Sequence, residues 1–432
     1  MDDVEEGPRS SGSSPRTGAA TAAGSVTMPP TSLASQMVTW RRDFHAHPEL
    51  GFEEERTAGI VTSHLEGLGF EVTTGVGGTG VVGLLRNATG GDAVLARFDM
   101  DALPMQEATG LRFASRAQGQ MHACGHDGHV AIGMGVARML AQRRDELERH
   151  VKLVFQPAEE GLGGARAVLV DGVLHDPEVS ACLSLHLWND IPTGFVAIDE
   201  GPVFAASDRM TCRVVGRGGH AAMPHQTRDV IAAGSAIVSA LQTVVSRNVP
   251  PTERAVLSVT SIAAGDGFNV MPDLAVLKGT IRTYSEEIRG SVWARVEHIA
   301  NRVADAFGCT AEVTRQTISP VVDNDAEVTR RVRTVAGSLL GEEFVLSGHR
   351  LMVSEDMGYF LAERPGCYFV VGAGPADTQS AQAAPKPYGP HHSATFGLDE
   401  RALAVGAAVM TAAVIDLARA RPIDGLPGES AA

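Results

Sequence analysis

Short apolar runs alternate along most of the chain with longer stretches whose apolar residues recur every three or four positions. The runs at 81–85, 93–98, 152–155, 181–185 and 368–371 are long enough for strands and too short for helices. Between or before them, 35–42, 53–68 and 129–142 carry helical spacing. Strands separated by helices predict an α/β layer structure around a largely parallel, buried sheet. The pattern changes at Asp208. Residues 209–215, 256–262, 274–283 and 311–315 read as further strands, several with polar and apolar residues alternating, and 229–247 and 291–307 read as helices. Strand–helix–strand–strand–helix–strand order predicts a separate α+β sandwich set into the larger unit, which resumes after about Thr317. The expected division is 33–207 and 318–421 for the larger unit and 208–317 for the insert. Disordered tails are expected at 1–32 and 422–432, the first being mostly Gly, Pro, Ser, Thr and Ala. No apolar segment behind a basic start suggests a signal peptide. The apolar stretch 403–418 falls short of about 20 residues and carries Thr and Asp, so a buried terminal helix is expected there.

Composition adds boundaries. The 432 residues carry a net charge of −15, which argues against a nucleic-acid-binding face and against a basic membrane anchor. Five widely spaced Cys make a poor disulfide framework, so reduced thiols in a cytoplasm are expected. The 15 His cluster instead.

The candidate chemistry follows predicted strands. Asp99 and Asp101 follow 93–98, Glu159 and Glu160 follow 152–155, and His186 follows 181–185. Ligands of open α/β sheets bind at the carboxyl ends of strands. Cys124 and His126 stand just before a helix, where thiolate and imidazole suit a borderline transition metal, with Asp127 able to orient a ligand. Packed core residues are the competing reading of the Cys-x-His pair, and a solvated acidic turn that of the Glu pair.

In combination these motifs resemble one family. Residues 41–50 (RRDFHAHPEL), 99–104 (DMDALP), HACGHDGH, QPAEEG, HLW, GGHAAMPH at 218–225 and NVMPD from Asn269 are similar, in order, to the M20 metallopeptidases. The closest likeness is to their amidohydrolase branch of hippurate, N-acyl-amino-acid and auxin-conjugate hydrolases. The resemblance implies a phosphorylase/hydrolase-like α/β catalytic domain with an inserted ferredoxin-like α+β lid that forms a homodimer. It implies two divalent ions (Zn, Mn, Co or Ni) held by Cys124, His126, Glu160, His186 and His392. Glu159 would be general base and acid, and Asp101 would orient a ligand. His220 would polarise the scissile carbonyl, often in a neighbouring subunit's site, and Asn269 and Arg282 would grip the substrate carboxylate. The implied substrate is a small N-acyl amino acid. A dipeptidase or carboxypeptidase on the same scaffold is the nearest rival, and a metal-binding protein without catalysis a more distant one.

Two departures stand out. The family's last ligand His is usually followed by a small polar residue, Pro and an aromatic–Asp pair, whereas here the run is His392-Ser393-Ala394-Thr395-Phe396-Gly397. Adjacent His391 remains an alternative ligand. The Pro/Ala-rich loop 375–390 is longer than expected.

Overall fold

The computed structural model describes residues 26–87, 90–375 and 388–419. Most of the two expected tails, and most of the 375–390 loop, lie outside them. Helix Thr31–Ala46 takes in the last two positions assigned to the first tail.

The larger unit is built on an eight-stranded sheet. In order across it run Glu71–Val76, Gly80–Leu85, His150–Gln156, Ala93–Asp99, Val179–Pro192, Gly366–Gly374, Val196–Ala197 and Val345–Leu346. The central four, His150–Gln156 to Gly366–Gly374, are parallel. Antiparallel pairings flank them, so the sheet is mixed rather than largely parallel. At one edge the reason is local. Glu71–Val76 and Gly80–Leu85 are joined by a turn too short for a crossover, which forces antiparallel pairing.

All seven residues of Ala93–Asp99 are buried because both faces of the sheet are covered. Val94, Ala96 and Phe98 join one core cluster and Ala93 and Leu95 the other. Helix Ala402–Leu417 is buried along nearly its whole length, which explains why Thr411 and Asp416 are its only polar residues.

The insert is a four-stranded antiparallel sheet in the order Ala255–Ala263, Leu274–Thr283, Ala206–Val215, Thr310–Ser319. Helices Val230–Asn248 and Glu286–Ala306 cover one face. Met210, Cys212, Val214, Leu277 and Ile281 meet Ile237, Leu241 and Val296 there. Asp229 and Ser285 cap the two helices by accepting from free backbone N–H groups. Helix Val230–Asn248 is long and apolar enough to cross a membrane, but its stripe Val230, Ala233, Ile237, Leu241 and Val244 is spent on the sheet. The chain enters through Ser207 and leaves through Ser319, and these two residues pair across adjacent strands. The other face of the insert's sheet carries polar side chains and looks into a cavity shared with the larger unit.

Candidate active site

The cavity has a volume of about 1350 Å³, and its floor lies at the carboxyl ends of the parallel strands. Cys124, Glu159, Glu160, His186 and His392 line it. His186 sits inside its strand rather than after it. The run continues as Val179–Pro192 because Gly366–Gly374 keeps pairing with it, Val370 opposite His186. Two residues here take a left-handed backbone without being glycine, Ala158 (φ 54°) and His392 (φ 60°). Such strain persists where surroundings enforce it. At Ala158 the enforcer is buried Glu54. Its Oε1 accepts from the Ala158 N–H at 2.9 Å, and its other oxygen accepts from the Thr79 hydroxyl.

Cys124 stands at the centre. Its Sγ lies 3.4 Å from His186 Nε2 and 3.4 Å from His392 Nε2. His392 Nε2 is 3.2 Å from Glu160 Oε1. Two groups of possible ligand atoms share the thiol, Cys124–His126–His186 and Cys124–Glu160–His392. The rings are already oriented. His126 Nδ1 donates to the Asp101 carbonyl at 2.9 Å, and its other nitrogen is buried without a hydrogen-bond partner. His186 Nδ1 donates to the Leu187 carbonyl at 2.8 Å, leaving Nε2 as a free lone pair. Asp101 Oδ2 also accepts from the Glu160 N–H at 3.0 Å, tying the two ligand loops together.

His391 is turned away. It stacks on Trp188 with ring centroids 4.3 Å apart and bonds the Leu187 carbonyl.

Beneath the cluster lies a buried network that sequence reasoning missed. Arg97, fully buried in mid-strand, donates to Asp99 (2.7 Å), Asp356 (2.7 Å) and Gln156 (2.9 Å), with Glu355 at 3.0 Å. Asp99 in turn accepts from His129 Nδ1 at 2.6 Å, and His129 Nε2 accepts from the Leu187 N–H beside His186. On the other side the Asp356 N–H donates to Glu159 Oε1 at 3.2 Å. One guanidinium thus links the supports of His186 to the loop facing Glu159. The signal was a lone charge in the apolar run 93–98, since a buried charge requires partners.

Burial, reinforced by Glu355, Glu160 and Asp356, raises the pKa of Glu159 well above the usual carboxylate range. Burial likewise raises the Cys124 thiol. It pushes His186 well below the imidazole range, helped by His129 and His391, so that ring stays neutral.

Residues 95–416 match the model of peptidase family M20/M25/M40. The chain belongs to this family. An N-acetylcysteine deacetylase of Bacillus subtilis (strain 168) is 39% identical over 86% of this chain and 94% of its own length. Thermostable carboxypeptidase 1 of Saccharolobus solfataricus is 36% identical over 85% of this chain and 91% of its own. The crystal structure of the Bacillus subtilis YXEP protein, described as a dinuclear metal binding peptidase from family M20, superposes with a TM-score of 0.77. It is 34% identical over 89% of this chain and 98% of that one.

For an M20 member the donor set fits divalent metal. A thiol, three imidazoles and a carboxylate converge, and the bare Nε2 of His126 has nothing else to bind. The raised pKa of His392, up to about 10, comes from its contacts with Cys124 and Glu160 against burial. Protons stand there where a cation would displace them.

Other expected residues lie elsewhere. Arg282 lines the cavity, and its Nη1 is buried without a hydrogen-bond partner. His220 and Asn269 do not line it. They are exposed on the ribbon formed by Gly219–His220 and Val270–Met271. Asp127 does not orient a cluster ligand. Its Oδ2 accepts from Arg41 Nε at 2.8 Å and His45 Nδ1 at 2.7 Å, because its side chain points toward the first helix.

Proposed function

We propose that this chain is a metal-dependent amidohydrolase that cleaves the amide of N-acyl amino acids. The observation that carries this reading is a buried, electron-rich cluster centred on Cys124, beside a carboxylate with a raised pKa, facing an unpaired Arg282 across one cavity. Cys124, His126, Glu160, His186 and His392 would hold two divalent ions. Zn, Mn, Co and Ni all suit such donors. When bound, the ions supply a reactive water at neutral pH and polarise the scissile carbonyl.

Glu159 takes the proton of the attacking water and delivers it to the departing amide nitrogen. Its raised pKa suits both halves of that task. Asp101 fixes the ring of His126. Arg282 offers a planar fork to the substrate's α-carboxylate.

We read the 208–317 insert as a ferredoxin-like lid that also dimerises the protein. His220 and Asn269 then complete the partner's site, polarising the carbonyl and gripping the carboxylate. Exposed Val270 and Met223 flank His220, and exposed Phe268 (99% exposed) precedes Asn269, apolar surface that a second copy would cover. Five buried free thiols support a cytoplasmic location.

The test is amine release from N-acetyl, N-benzoyl and indoleacetyl amino acids and from simple dipeptides, after metal stripping and reconstitution. Metal-restored cleavage of the acyl amino acids is expected. Cleavage of dipeptides alone would move the assignment to the carboxypeptidase reading, which the Saccharolobus relative favours. Bound metal with no turnover would leave a non-catalytic binder.

A further inference from the structure

The open face of the insert's sheet carries four cations, Arg209, Arg213, Lys278 and Arg282, by the alternation of its strands. Arg213 is paired with Glu312 at 3.5 Å and lies outside the cavity. The other three line the cavity with the Cys124 cluster, and no salt bridge engages any of them among the described residues. Register places them together. Arg209 stands opposite Thr280, so Lys278 and Arg282 flank it diagonally on the next strand, at about 7–8 Å. The Arg209 guanidinium leans over the loop of Glu159 and Glu160, with Nη2 3.6 Å from where a Cβ on Gly161 would sit.

One α-carboxylate occupies one guanidinium fork. Three neighbouring cations with no close ion-pair partner among the described residues repel one another, and a bound anion would relieve that repulsion. Around them stand Thr211, Thr280, Thr314 and Gln316, with Val256 opposite Arg282, so this wall is mostly polar.

We propose that the substrate carries two carboxylates. Arg282 holds the α-carboxylate, and Arg209 with Lys278 holds the second. This rests on the amidohydrolase reading above and names its substrate class. The second carboxylate belongs either to the amino-acid side chain or to the acyl group, and the same cations serve both.

The experiment compares each acid with its neutral amide isostere on the metal-loaded protein. One arm is N-acetyl-L-glutamate against N-acetyl-L-glutamine. The other is N-succinyl-L-leucine against its succinamoyl analogue. The acid should be favoured by about tenfold or more in kcat/KM in at least one arm, carried by KM. Arg209→Met and Lys278→Met should each move that ratio toward one. Calorimetric binding of the favoured acid to the Glu159→Gln protein should weaken in parallel, and weaken with salt. A ratio near one in both arms would overturn the proposal and leave the amidohydrolase reading intact. So would a ratio that survives the double variant. If no acyl amino acid is cleaved, N-acetyl-L-methionine included, the reaction reading fails, and calorimetry alone decides whether a dianion binds. Acid and amide binding equally would then overturn the proposal too.

Discussion

At the scale of single residues, Glu159 and Arg97 make opposite demands. In the proposed mechanism Glu159 exchanges a proton, so Glu159→Gln should lower kcat by about 10²–10⁴ while metal content, read by atomic absorption, stays at the wild-type level. Turnover at the wild-type rate would remove it from the mechanism. Arg97 must never lose its charge. It is the cation among Asp99, Glu355 and Asp356, all buried. Arg97→Met leaves Asp99 and Glu355 without their buried cation and should cost about 3–5 kcal/mol in urea unfolding. A loss below about 1 kcal/mol would mean that the network is not held by this charge. The residues that gather around Cys124 were legible because each of their motifs is local in sequence. The role of Arg97 was not, since its partner Asp356 lies 259 positions away.

At the scale of elements, legibility followed exposure. The strand Leu274–Thr283 has one buried and one open face, so its alternation marked both ends correctly. The strand Val179–Pro192 is buried at nearly every position and shows no period, so its end was placed too early and His186 outside it. Helix Ala326–Leu340 was covered only by the expectation that the α/β pattern resumes. The loop carrying Glu355 and Asp356 has its own consequence. Burial and Glu355, opposed by Arg97, raise Asp356 from an ordinary 3.8 to about 8. Between those values the native state keeps a proton that the unfolded chain releases. Stability from this group is therefore present at low pH and lost as pH rises toward 8. The metal-free thermal midpoint should fall from pH 5 to pH 8, and Asp356→Asn should flatten that slope. An unchanged slope in the variant would assign the effect to other groups.

At the scale of the whole molecule, the proposed dimer makes a direct prediction. A Glu159→Gln subunit keeps a working His220, and a His220→Ala subunit keeps a working Glu159. If His220 serves the partner's cavity, mixing the two inactive variants under subunit exchange should restore activity toward about a quarter of wild type when hybrids form at random. Mixtures as inactive as either parent would place His220 outside the reaction or within its own chain's site. The paired strand ends at Ser207 and Ser319 carry a different consequence. The chain leaves the large sheet's unit and returns to it across one strand spacing, about 5 Å. Folding of the two cores is thereby separable. Residues 208–318 can be excised and bridged by a short turn without stretching what remains, and the excised piece begins and ends side by side, ready to be grafted. The Cys124 cluster belongs wholly to one piece and the three cations of the sheet face wholly to the other. An exchange of this cassette between relatives would carry the three cations and His220 together while leaving the Cys124 cluster and Glu159 in place.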